Sequence, residues 1–281
     1  MDFGFTKEQD LVKQMLQEFV ENEVRPIAAE IDETEEFPME TMKKMAKLGM
    51  LGLPFPKEYG GAGGEYTSYI MAVEELGKAC ASTSVALSAH VSLCCSPIYY
   101  YGTEEQKKKY LPSLLKGEKI GAFGLTEPNA GTDAAGQQTI ARLEGDYYIL
   151  NGSKVFITNG GVADVFIIFA MTDRSKGTRG ISAFIVERDF QGFSIGKKEE
   201  KMGIRASSTT ELIFKDVMVP KENLLGKEGK GFSIAMSTLD GGRIGIAAQA
   251  LGIAGGSLEE AVKYMKERKQ FGKSLSQFQG L

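Results

Sequence analysis

The sequence predicts an α+β multidomain protein: an N-terminal all-α domain, a middle antiparallel β domain, and the start of a truncated C-terminal α-helical domain. Two observations carry this prediction. Apolar residues recur at three- and four-residue spacing up to about Lys116, and after Ile120 the pattern changes to short β-branched and aromatic runs separated by turn residues. A third observation fixes the end of the order, because the stretch from Gly231 to about Lys269 returns to a helical pattern rich in small residues. The expected domains are residues 1–119, 120–228 and 229–281.

Along the first domain, Thr6 is placed to cap a helix carrying Leu11, Met15, Leu16, Phe19, Val20 and Val24 on its apolar side. Pro38 suits the first turn of a second helix, and the prolines and glycines of GLPFPKEYGGAGGEY predict a long loop. Its glycines at 60, 61, 63 and 64 read as turn residues rather than as a ligand contact. Further helices are expected over 68–78 and 82–101, and Thr103 caps the next. The acidic residues of EELGK read as an ordinary solvated helix face.

In the second domain, YYILNGSKVFIT, DVFIIFAM, ISAFIVE and TTELIFKDVMVP are expected strands of an antiparallel sandwich or barrel. Asn151-Gly152 is a strong turn signal within the first of them. The long helix that follows carries Ile244, Ile246, Leu251, Ile253 and Met265, which need a partner surface, and its small residues suit close helix packing. The tail SLSQFQGL reads as another helix beginning.

Composition excludes several classes of function. A net charge of -4 supplies no basic field for nucleic acid, and no run approaches the roughly 18 apolar residues of a membrane span. The N-terminus has no basic-then-apolar secretory pattern, so a cytoplasmic setting is expected. Cys80, Cys94 and Cys95 lack metal or disulfide spacing and read as buried reduced thiols. No metal is expected, and His90, the single histidine, reads as a hydrogen-bonded core residue in an apolar stretch.

Two motif matches fail on context. GFSIG fits the GxSxG pattern by letter, but no helix pattern follows it and the lone histidine precedes it. RKQFGKS has Glu267 where a P-loop needs its first glycine, and a helix precedes it instead of a strand. What remains is FGLTEPNAGTDAAG, a turn following apolar residues, with hydroxyls at Thr126 and Thr132. Its chemistry suits a polar planar ring or a phosphate, and equally a plain β-turn with a capping threonine.

This stretch strongly resembles the flavin-loop motif of the acyl-CoA dehydrogenases, and the resemblance continues through KVFITNGG, KMGIRASSTTELIF, FKDVMVPKENLLG, LDGGRIGIAAQALG and RKQFGKSLSQFQ. It spans essentially the whole chain and looks most like the short-chain, butyryl-CoA type of bacterial anaerobes. The resemblance implies FAD as cofactor, contacted by Phe123, Gly124, Leu125, Thr126, Glu127, Pro128, Asn129, Ala130, Gly131 and Thr132. Phe156, Ile157 and Thr158 would flank the ring system, with Phe156 standing where many relatives carry tryptophan. Thr132, Asp240, Gly241, Gly242 and Arg243 would contact the acyl-CoA, while Arg268 and Gln279 would reach the FAD of a neighbouring subunit in a homotetramer.

The reaction implied is dehydrogenation of butyryl-CoA to crotonyl-CoA, with electrons passed to an electron-transfer flavoprotein. An oxidase-like relative, or a non-catalytic flavin- or acyl-CoA-binding fragment, are the alternatives. The resemblance gives no catalytic residue in this sequence. The usual base of the family would lie beyond Leu281, and the position some relatives use instead is Gly242. The isolated chain is therefore expected to be inactive, with apolar surface exposed on its long helix.

Overall fold

The computed structural model describes residues 4–280. The chain opens with α1 (Lys7–Phe19), whose capping box is complete: Thr6 Oγ1 accepts from the Gln9 N–H, and Gln9 Oε1 accepts from the Thr6 N–H. Leu16, Phe19, Val20 and Val24 are buried as their spacing requires, whereas Leu11 faces solvent. A π turn over Val20–Val24 and a 3-10 turn over Arg25–Ile27 lead into α2 (Ala28–Thr34) and α3 (Met39–Lys47), with Pro38 at the N-cap of α3. The glycine loop then holds only short 3-10 turns. Gly60 and Gly63 take the positive φ that a turn needs. Gly61 has a different reason: a Cβ there would lie 2.1 Å from the Phe55 carbonyl oxygen.

Helices α4 (Tyr66–Ala79) and α5 (Ala81–Ser88) follow, and α5 continues through a π segment, Ala89–Cys95, into α6 (Ser96–Tyr101). The π segment turns His90, Val91, Cys94 and Cys95 into the core and leaves Ala89, Ser92 and Leu93 on a cleft. Helix α7 (Glu104–Leu115) repeats the capping box with Thr103 and Gln106.

The middle of the chain is one eight-stranded sheet, in the order β6-β7-β3-β2-β4-β5-β8 with β1 added beside β4. The strands are β1 (Gly121–Gly124), β2 (Ile140–Glu144), β3 (Tyr147–Ile157), β4 (Val165–Met171), β5 (Ile181–Glu187), β6 (Phe193–Lys198), β7 (Thr210–Pro220) and β8 (Leu224–Leu225). Antiparallel pairing dominates, as expected, but β1 and β2 both run parallel to β4. Every residue of β4 is buried, which explains its unbroken apolar run.

Asn151-Gly152 is not a turn. It lies inside β3, where the pairing with β7 shifts register between Leu150 and Gly152, so the glycine serves a bulge. Gly152 has φ 146°, and a Cβ there would lie 2.5 Å from Thr139 Oγ1. The GFSIG segment enters β6 and no helix follows it.

Helix α8 (Gly231–Glu267) packs on α4 through glycine contacts in both helices. A Cβ on Gly252 would meet the Glu74 carbonyl oxygen at 2.2 Å, and one on Gly256 the Lys78 carbonyl oxygen at 2.2 Å. Glu75 is buried, so EELGK is not simply a solvated face: the Glu75 carboxylate is 3.0 Å from Lys78 Nζ. The other side of α8 exposes Ile244, Ile246, Leu251, Ile253 and Leu258. After α8 come the two-residue strands β9 (Lys269–Gln270) and β10 (Lys273–Ser274), paired as a hairpin. The tail then makes a 3-10 turn over Leu275–Gln277 in place of the expected helix start, because Phe278 leaves it in extended backbone.

Candidate active site

The helices and the sheet are joined by polar contacts, and a cleft lies along their seam. His90 Nδ1 accepts the Gly121 N–H at 3.0 Å, and its Nε2 lies 3.2 Å from the Leu114 carbonyl oxygen, so the proton sits on Nε2. Burial pushes the His90 imidazole down to about 4, keeping it neutral. Asn159 Nδ2 donates to the carbonyls of Ala86 and Gly121, and Tyr110 donates its hydroxyl to Glu187 at 2.8 Å. The expected core role of His90 thus has a geometry: it holds the first residue of β1.

Past Gly124 the chain leaves β1 and makes a tight reverse turn in which Glu127 and Ala130 exchange both backbone hydrogen bonds. The loop is fastened to β3 by the Val155 N–H donating to the Thr126 carbonyl. Beneath it, Lys154 is fully buried and donates to the Leu125 carbonyl, Glu127 Oε1 and Gln137 Oε1. Burial pushes the Lys154 ammonium down to about 8 despite the opposing pull of Glu127. Burial works to raise the Glu127 carboxyl, but Lys154 and the donors at residues 138 and 139 hold it below the usual carboxylate range.

A second bulge, between Lys154 and Ile157 of β3, frees Phe156 from the ladder. Phe156 sits at φ 60°, an uncommon backbone for an aromatic residue, and the residue is 63% exposed. It lines a cleft of about 410 Å³ together with Phe123, Leu125, Thr126, Gly131, Thr132, Ile157, Thr158 and Arg243, closed on the other side by Met236 and Leu239 of α8. The hydroxyls of Thr126, Thr132 and Thr158 have no partner within the described chain, and a Cβ on Gly131 would point into open space.

Two more compartments continue the cleft along α8. One, of about 330 Å³, shares Ala89, Leu93, Thr158, Leu239 and Arg243 with the first and adds Gly242, Ser88 and Ser92. The other, of about 460 Å³, shares Ser92 and adds Gly241, Tyr66 and Tyr100. Tyr66 donates its hydroxyl to the Gly241 carbonyl at 3.1 Å. Among the described residues, no aspartate or glutamate lines any of the three.

Most of the site residues expected from sequence therefore meet at one trough, and some do not. Gly124 lies behind the loop, where a Cβ would be 2.6 Å from Ile168 Cδ1. The Glu127 side chain points under the loop to Lys154, Pro128 and Asn129 stand exposed at its tip, and Ala130 is buried. Asp240 sits outside the compartments, paired with Arg243 on the exposed face of α8. Arg268 and Gln279 are exposed at and beyond the end of α8, and neither lines the trough. The position expected for the family's base, past Leu281, is outside the described residues. Sequence reading missed Lys154 and Leu93.

Comparison with known proteins decides the family. Residues 6–118, 122–217 and 229–281 match the family models of the acyl-CoA dehydrogenase N-terminal, middle and C-terminal domains. The chain belongs to the acyl-CoA dehydrogenase family.

Within that family it is 73% identical to the acyl-CoA dehydrogenase, short-chain specific, of Clostridium acetobutylicum, over all of this chain and 74% of the relative. Butyryl-CoA dehydrogenase of Megasphaera elsdenii matches in structure with a TM-score of 0.96 and 56% identity, over 99% of this chain and 74% of the other. A chain from a solved structure of the electron transferring flavoprotein of Acidaminococcus fermentans matches with a TM-score of 0.98 and 59% identity, over 99% of this chain and 73% of the other. The acyl-CoA dehydrogenase of Bacillus anthracis, solved in complex with FAD, matches with a TM-score of 0.92 and 41% identity, over 98% and 47%.

FAD is the cofactor of this fold, and the first compartment fits it. Free hydroxyls stand at the rim, an exposed ring stands at one wall, and the floor is apolar: these are the surfaces a flat ring with polar edges requires.

Proposed function

We propose that this chain serves the FAD-dependent α,β-dehydrogenation of short-chain acyl-CoA thioesters, butyryl-CoA to crotonyl-CoA, with an electron-transfer flavoprotein taking the electrons. The observation that carries the reading is the continuity of the trough. The flavin-loop compartment opens through Thr158, Leu93 and Arg243 into the compartment beneath Gly242, so a flavin in the first would face an acyl chain in the second. Bound there, the flavin supplies the acceptor for the β-hydride.

The chain's own residues orient the reactants. Phe156 and Ile157 would wall one side of the ring, the hydroxyls of Thr126 and Thr158 would serve its polar edge, and Thr132, in the same compartment, is assigned to both ligands. Leu93, Leu239 and Ala89 offer an apolar lining for a short acyl chain. Asp240 and Arg243, on the exposed face of α8, suit the polar pantetheine arm. Arg268 and Gln279, well outside the trough, are assigned to the FAD of a neighbouring subunit in a homotetramer. The three unpaired buried thiols support a cytoplasmic setting.

Removal of the α-proton needs a base within hydrogen-bond reach, and the lining offers no carboxylate. We therefore assign the proton acceptor to sequence outside residues 4–280. The 281-residue polypeptide on its own is expected to bind acyl-CoA without turning it over.

The test is to add butyryl-CoA anaerobically to the purified, FAD-loaded chain while following the visible spectrum. A shift of the flavin bands without loss of colour is the expected result. Prompt bleaching would refute the assignment of the base, and an unchanged spectrum would refute the substrate class.

A further inference from the structure

We infer that Lys154 and Glu127 form a buried positioning pair that sets the shape of the cofactor loop, an inference that rests on reading this cleft as the flavin site. Lys154 lies on β3 and Glu127 in the loop, 27 positions apart in sequence, with Nζ to Oε1 at 2.7 Å.

The pair ties the entry, turn and exit of the loop to β3. Each proton of the Lys154 ammonium has its own acceptor: the Leu125 carbonyl at the loop's entry, Glu127 in its turn, and Gln137 where the chain leaves it at 3.1 Å. The Glu127 carboxylate takes the Thr139 N–H on Oε1 at 3.0 Å and the Gln138 N–H on Oε2, so it clamps the far end of the loop as well. The segment between these anchors carries Thr126, Gly131 and Thr132, which line the cleft, while Lys154 stands one residue from the bulge that turns Phe156 outward.

Neither side chain lines the trough, so the pair acts through the loop rather than on a ligand. A buried ion pair is a poor device for stability alone, since apolar replacements of similar volume do as well or better. Its directional hydrogen bonds, by contrast, fix loop geometry that an apolar filling would leave free. Gly124 shows how closely the ammonium stem is packed: a Cβ there would lie 3.4 Å from Lys154 Cγ.

The test compares FAD binding and folding in four proteins. The parent, reconstituted with FAD, tests the underlying reading by itself: failure to retain FAD would overturn both that reading and this inference. Lys154→Met combined with Glu127→Gln removes both charges at once and leaves no uncompensated one. It should keep its far-ultraviolet circular dichroism, bind FAD at least about tenfold more weakly, and alter the visible circular dichroism of whatever FAD it binds.

Should that variant fail to fold, Glu127→Asp decides, because it keeps both charges and shortens the reach by one methylene. It should weaken FAD about threefold or more while its unfolding midpoint stays near the parent's. Tyr110→Phe, which removes the hydrogen bond to Glu187 at the domain seam, is the control for general destabilisation. It should lower the unfolding midpoint and leave the FAD signal unchanged. FAD affinity within twofold of the parent in either folded pair variant would overturn the inference, as would an equal loss in Tyr110→Phe.

Discussion

Gly242 faces Leu93 across the middle compartment: a Cβ built on Gly242 would lie 3.0 Å from Leu93 Cδ2. The obstruction is the tip of a flexible side chain, not backbone, so a longer residue at 242 can be accommodated by a small shift. Gly242→Glu would bring a carboxylate into a compartment that has none. A general base contributes about 10²–10⁴-fold, so the variant should bleach its flavin with butyryl-CoA at least about 100-fold faster than the parent in anaerobic stopped flow. No gain in a folded, FAD-loaded variant would count against the middle compartment as the acyl site.

Phe156 carries opposing demands. Its φ of 60° costs of the order of 1–3 kcal/mol for a bulky side chain, and its exposed ring lines the cleft. Phe156→Gly should raise the thermal midpoint of the FAD-free protein or leave it unchanged, while weakening FAD by about five- to tenfold through lost ring contact. Tighter FAD binding in the glycine variant would show that the ring does not serve the cofactor.

Gly152 is expected to tolerate no side chain. Alanine there would meet Thr139 Oγ1 at 2.5 Å at a φ of 146°, so Gly152→Ala should cost about 2 kcal/mol or more in a urea titration. An unchanged midpoint would mean that the bulge can relax, and that the register between β3 and β7 is not what fixes it.

His90 makes stability depend on pH. Its imidazole is neutral when folded, lowered to about 4, and regains the ordinary value near 6.5 when the chain unfolds. Between these values the unfolded chain binds the extra proton, so stability rises with pH through that window and is flat above it with respect to this group. The contribution amounts to about 2 kcal/mol between pH 5 and pH 7. Urea titrations at the two pH values should show that much less pH dependence in His90→Asn, at some cost in absolute stability because the Gly121 N–H loses its acceptor.

Features encoded locally were legible in the sequence. Thr6 and Thr103 cap helices because the partner glutamine stands three residues on in each case, and the apolar run of β4 is buried throughout. The loop from Phe123 to Thr132 was recognisable as a family motif, although its local chemistry allowed an ordinary turn equally well.

What escaped the sequence depends on distant contacts. Asn151-Gly152 satisfies a hairpin turn and a bulge alike, and Thr139, just ahead of β2, packs where a side chain on Gly152 would lie. Lys154 is buried beside Glu127, which lies 27 positions away in sequence. The one available signal was its even-numbered alternation with the buried Tyr148 and Leu150. Nothing in the neighbourhood of Leu93 announces the π segment that turns it toward the cleft.

The central claim is that residues 123–132 and 156–158 form a flavin site within this chain. It is tested most directly by mixing the purified 281-residue protein with excess FAD, passing it through gel filtration, and measuring flavin per chain from the visible spectrum. About one FAD should travel with each chain, and Thr126→Val combined with Thr158→Val should reduce that fraction sharply in a folded protein. A parent that elutes colourless, or a double variant as yellow as the parent, would contradict the account.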